Sequence, residues 1–224
     1  MNSIFLRIYG GVILVCMLVG VLFYVSLETI NYFRLNMFRA SIVSGPVLLV
    51  AEMAARQPPA LQGRWVADTG RLMDSHMQLL ERQDLTLDDA DIDRLQQGKL
   101  VLRTLDEYHR NGEAVVRLPG ESDRYIVARG EYLTEQQARG LAELVSQYLA
   151  QYPVAEWSGL LDKLNGQFSF ALQRIPPFQV ELDDEKKHRL FHDEQAVAHF
   201  AGNRGGNTQV TAYRLLPETG EVLM

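Results

Sequence analysis

LDDADIDRL at residues 87–95 and LDDEKKHRL at residues 182–190 decide how this chain is read. Leu87-Asp88-Asp89, Arg94 and Leu95 return as Leu182-Asp183-Asp184, Arg189 and Leu190, each 95 residues later. Identities that share one spacing mark an internal duplication, which sets the fold unit before any secondary structure is assigned. Upstream, Trp65, Leu72, Leu80 and Arg82 match Trp157, Leu164, Leu172 and Arg174 at a spacing of 92. The difference implies three extra residues in the second copy. Ile175-Pro176-Pro177-Phe178 carries a loop signal, and insertions are tolerated in loops, so they are expected there.

Working outward, each copy reads in the same order. A helical stretch comes first, over 40–57 and 134–151. In the second, Thr134 is placed as the N-cap ahead of Glu135, Gln136 and Gln137, and Leu141, Leu144, Val145, Tyr148 and Leu149 repeat at helical spacing. Pro58 and Pro153 stop these stretches, and a short helix carrying a tryptophan follows. A strand is expected at His76–Arg82 and at Gln167–Arg174, where Phe168, Phe170 and Leu172 alternate. The Asp-Asp pair opens another short helix. Three strands close each copy: Lys99–Leu105, Glu113–Leu118 and Arg124–Arg129, then Gln195–Phe200, Gln209–Leu215 and Glu221–Met224. Asn111-Gly112, Pro119-Gly120, Gly202–Asn207 and Glu218-Thr219-Gly220 supply the turns. Helices followed by a meander predict α+β units with helices packed on one sheet face.

Ahead of the copies, residues 8–27 contain no charged side chain; Arg7 and Glu28 bound them, and Tyr9 and Tyr24 fall near the ends. Twenty helical residues span about 30 Å, the thickness of a bilayer core. A cleaved signal peptide has a shorter apolar core and a small-residue cleavage site, and Val25-Ser26-Leu27-Glu28 is a poor one. An uncleaved transmembrane helix is therefore expected. Flanking basic residues are nearly balanced and leave its orientation open. The single cysteine, Cys16, lies in this span, so no intrachain disulfide can form. A net charge of −6 argues against general nucleic-acid binding.

Little in the chain points to chemistry. Asp89, Asp91 and Asp93 have the first spacings of a calcium loop, but Arg94 and Leu100 occupy the glycine and glutamate positions. Helix capping by Asp88 and Asp183 is the better reading. Of the histidines (76, 109, 188, 192 and 199), His188 and His192 share a helix face but lack a third ligand and the glutamate of HExxH. Arg94, Arg189, Trp65 and Trp157 read as structural. No P-loop, GxSxG elbow or CxxC pair is present. No catalytic, cofactor-binding or metal-ligating residue is assigned, and ligand-binding residues are unspecified.

The order of features resembles the periplasmic sensor region of RstB-like sensor histidine kinases. An anchor is followed by a helix ending near proline, a tryptophan and a strand with Leu-x-Arg. Leu87-Asp88-Asp89, Arg94-Leu95-Gln96-Gln97-Gly98 and Lys99-Leu100-Val101 come next, and Tyr125-Ile126-Val127-Ala128-Arg129-Gly130 closes the copy. The resemblance implies a cytoplasmic amino terminus, with residues after 28 in the periplasm of a bacterial inner-membrane protein. It also implies a second span, a HAMP segment, a kinase and a cytoplasmic response regulator, none of which lies in these residues. The duplication departs from the single unit expected of that family.

The expected fold is thus α+β: a transmembrane helix followed by two tandem PAS/PDC-like units, each with helices on a small antiparallel sheet. The divisions are a short cytoplasmic tail at 1–7, the span at 8–27, a membrane-proximal helical segment at 28–57 and sensor units at 58–131 and 132–224. The expected function is signal input to a two-component kinase by helix movement, with Asn31–Gln57 as the lever, kinked at Gly45-Pro46. Small residues there (Ala40, Ser41, Ser44, Ala51, Ala54 and Ala55) suit packing in a homodimer. An envelope protein or a small ligand is the expected stimulus. The chain stops near the last strand of copy two, which fits the input portion of a longer protein. The alternative is a stand-alone membrane-tethered protein that binds another envelope protein.

Overall fold

The structure, a computed structural model, describes residues 13, 16–27, 44–104, 112–120, 123–130, 134–202 and 208–224. It divides into compact units at residues 1–41 and 42–224. In the first, residues 16–27 are helical and exposed. Among the described residues no helix is long and apolar enough to cross a membrane. Part of the expected span at 8–27 lies outside the described residues, as do the tail, residues 28–43, His109, Asn111 and residues 203–207.

The second unit is α+β, with two small antiparallel sheets. Helix α1 covers residues 44–55. Pro58 and Pro59 start α2 (Pro59–Leu72), where a missing N–H costs no helical hydrogen bond. Strand β1 (His76–Glu81) leads through a 3-10 turn to α3 (Asp89–Gln96), then β2 (Val101–Thr104), β3 (Gly112–Arg117) and β4 (Arg124–Gly130). The second copy gives α4 (Glu135–Leu149), α5 (Trp157–Gln167), β5 (Arg174–Ile175), α6 (Asp184–Phe191), β6 (Val197–Gly202), β7 (Thr208–Leu216) and β8 (Glu221–Leu223). The sheet orders are β1-β4-β3-β2 and β5-β8-β7-β6, one topology used twice.

Burial refines the repeat. From α1 to α6 the two copies correspond at a spacing of 95 throughout. Leu49, Val50, Met53 and Ala54 are buried in α1; so are Leu144, Val145, Tyr148 and Leu149 in α4. Gln62, Val66, Thr69, Met73 and Met77 are buried, and 95 residues later so are Trp157, Leu161, Leu164, Phe168 and Leu172. Leu80 faces Tyr125, and its counterpart Ile175 faces Val222. The expected three-residue insertion at Ile175–Phe178 is therefore absent. The identities at a spacing of 92 are coincidences: Trp157 matches Gln62, and Trp65 matches Leu160. A tryptophan is conspicuous in sequence, but the buried helix face has a period that does not admit a three-residue shift over several turns.

The expected strand Gln167–Arg174 is corrected too. Helix α5 runs to Gln167, and only Arg174–Ile175 pair as a strand, extended by reciprocal Gln173–Met224 backbone bonds of 2.9 and 2.8 Å. Phe168 instead fills the space over Gly45. A Cβ on Gly45 would lie 2.0 Å from the Phe168 ring, so only glycine admits this approach. Gly45 and Pro46 fall in the first described turn of α1, and the stretch before them, against which the expected kink would be seen, lies outside the described residues.

One large core joins the copies. Ala114, Val116, Ile126 and Ala128 from the first sheet meet α1, α4 and α5, together with Leu216 and Leu223 from the second. Ala51 and Ala54 are spent in this core, within one chain. Each sheet's opposite face has a smaller cluster under its short helix. Leu95 packs on Val101, Val115, Tyr125 and Val127; Leu190 packs on Val197, Tyr213 and Val222. Each sheet is thus covered on both faces, where helices on one face were expected.

Candidate functional site

Among the described residues of the second unit, a dense polar cluster lies where α1 meets α4 and α5. Glu52 projects from α1 one turn before Arg56. Its carboxylate accepts from Arg56 Nη2 at 2.9 Å, Tyr148 Oη at 2.9 Å and Lys163 Nζ at 2.9 and 3.2 Å. Arg56 also donates to the Tyr152 hydroxyl and to Gln151 Oε1 at 3.1 Å. Its guanidinium stacks over the Tyr148 and Tyr152 rings, 5.4 and 5.1 Å from their centroids. Partial burial alone would raise the Glu52 pKa. The bonds from Lys163 and Tyr148 and the charges of Lys163 and Arg56 outweigh it and hold the carboxyl below its usual range. Burial, with the Tyr152 and Glu52 bonds, pushes the Tyr148 phenol far up, so it stays a donor. The cluster ties α1 to α4 and α5 through one carboxylate shared by two cations and a phenol.

A second grouping lines a shallow cleft of about 660 Å³ beside the 3-10 turn after β1: Glu81, Arg82, Gln83, Leu85, Asp123 and Arg124. Tyr125, buried beneath, donates to Asp123 at 2.9 Å. Burial raises its phenol, and the Asp123 bond and charge raise it further, against the opposing charges of Arg117 and Arg82. Arg82 Nη1 donates to the Leu85 carbonyl at 3.1 Å, and Gln83 Nε2 to Glu81 at 3.1 Å.

Residues nominated by sequence fall elsewhere. Asp88 accepts from the Asp91 N–H at 2.7 Å and Asp183 from the Lys186 N–H at 2.8 Å, so both cap helices. Asp91 pairs with Arg103 at 2.7 Å. His188 and His192 stack at 4.6 Å, with Asp193 at 3.9 Å from His188. Among the described residues no group of three or more His, Cys, Asp or Glu is placed to hold a metal ion. Arg94 and Arg189 sit in the last turns of α3 and α6. Trp157 is buried and donates to the Tyr152 carbonyl at 3.0 Å, whereas Trp65 is only half-buried.

Sequence reading missed the Glu52 cluster. Glu52 and Arg56 are legible as an i,i+4 pair, but Tyr148 and Lys163 lie 96 and 111 residues from Glu52 and meet it only through the fold. Comparison with protein-family models, curated proteins and solved structures finds no match to this chain.

Proposed function

We propose that the chain is the extracytoplasmic input region of a membrane-bound two-component sensor kinase, its PAS/PDC-like units held at the membrane by residues 8–27. The observation that supports this reading is the placement of α1. This helix is the first described element after the anchor segment, and it is built into a core shared by both copies. Leu49, Val50 and Ala54 are at most 1% exposed. Protein interiors are close-packed, so α1 moves only if its neighbours in both copies rearrange. A ligand that favours one packing would then shift α1 and whatever it is joined to. The Glu52 cluster fixes the resting position of that helix.

Two results test the proposal. Alkaline phosphatase fused after residue 224 is expected to be active in the periplasm, and a fluorescent cytoplasmic reporter at the same site to be dark; the reverse pattern contradicts it. Reading the gene beyond codon 224 is expected to show a second apolar span, a HAMP pattern and a phosphoacceptor histidine. A stop codon directly there would contradict kinase output.

A further inference from the structure

We infer that the last turn of α6 binds a divalent transition-metal ion of the copper(II) class through His188 and His192, with water completing its coordination. This goes beyond the sensor reading and does not depend on it, because both ligands belong to one helix of copy two. The His192 N–H donates to the His188 carbonyl at 2.8 Å, so the helical turn between them is intact. Their rings face one another with centroids 4.6 Å apart and planes inclined by 27°. Both side chains are exposed, while Leu190 between them is buried against the second sheet. Among the described residues neither imidazole makes a hydrogen bond. Asp193 Oδ1 lies 3.9 Å from His188 Nε2, too far for one. The ring nitrogens are therefore open to an ion arriving from solvent.

Imidazole nitrogen suits copper, nickel and zinc, whereas calcium and magnesium take oxygen ligands. The number of protein ligands then decides among the three. Structural zinc is closed by four protein ligands, which this turn does not supply. A tetragonal ion accepts two imidazoles side by side and leaves its other positions to water, and copper(II) binds such donors most tightly. Side chains four apart on a helix are neighbours, so rotation of the two rings brings one nitrogen of each onto a shared ion without moving the backbone. Asp193 places a negative charge beside that ion. The duplication supplies an internal comparison. Copy one carries Asp93 and Gln97 where copy two has the histidines, and Gly98 in place of Asp193. Helix α3 packs Leu95 on its sheet as α6 packs Leu190. The fold is thus met without histidine, and the pair is not a packing requirement of this helix.

The test is titration of the full chain in detergent with copper(II), buffered by glycine and followed by electron paramagnetic resonance. The expected spectrum at low occupancy shows nitrogen splitting from two imidazoles. In His188→Gln or His192→Gln the splitting falls to that of one imidazole, and affinity drops by at least about tenfold, the loss that even an outer partner of a metal ligand causes. His76→Gln is expected to leave both unchanged. The two substituted side chains are exposed and outside the core, so circular dichroism at 222 nm is expected to match the wild type. Full affinity in both single variants means an adventitious ion elsewhere on the chain and overturns the site. Tighter binding of zinc than of copper(II) means a closed tetrahedral site and overturns the two-imidazole geometry.

Discussion

Gly140 and Glu52 show how single atoms set this packing. A Cβ on Gly140 would lie 2.4 Å from the Leu72 carbonyl oxygen, a backbone atom that cannot swing away. Gly140→Ala is expected to destabilise the chain by about 1–3 kcal/mol despite the better helix propensity of alanine, as a lowered urea midpoint would show. Glu52→Gln leaves Lys163 and Arg56 facing a neutral amide and is expected to cost roughly 1 kcal/mol at pH 7. The sign of its pH dependence follows from the depressed pKa. Stability from ionised Glu52 is complete above its ordinary value of 4.5 and is lost as pH falls through the lower folded value. Urea midpoints of the wild type and Glu52→Gln should therefore differ by a constant amount at neutral pH and converge below about pH 4.5. A gap that persists in acid would show that Glu52 acts by shape rather than charge.

Elements were legible where local chemistry sets them. Thr134 accepts from the Gln137 N–H at 3.1 Å while the Gln137 side chain accepts from the Thr134 N–H, a reciprocal capping box. Thr134→Ala is expected to cost about 1 kcal/mol, measured as a shift in the unfolding midpoint. The Asp-Asp caps, the proline stops and the strands of copy one were readable for the same reason. The strand expected at Gln167–Arg174 was not. Its alternation of Phe168, Phe170 and Leu172 reflects Phe168 seated over Gly45 and Leu172 held by Asn165 through bonds of 2.6 and 2.9 Å. Alternation alone does not distinguish a paired strand from an extended segment fixed by side chains. The Glu52 cluster was illegible for a related reason, since Lys163 reaches α1 only after two helices have packed.

At the scale of the whole molecule, the duplication was legible from Leu87–Leu95 and Leu182–Leu190, but its spacing was misread through the tryptophans. The structure makes the copies two halves of one interior, with α1 and α4 packed between their sheets. The central claim is that residues 42–224 behave as one cooperative body that includes the helix nearest the anchor segment. Single-tryptophan variants test it most directly: Trp157→Phe leaves Trp65 to report copy one, and Trp65→Phe leaves Trp157 to report copy two. In each, urea unfolding followed by tryptophan fluorescence and by circular dichroism at 222 nm is expected to give superimposable curves. A fluorescence transition that separates from the dichroism transition in either variant would contradict the account, because the copies would then unfold independently.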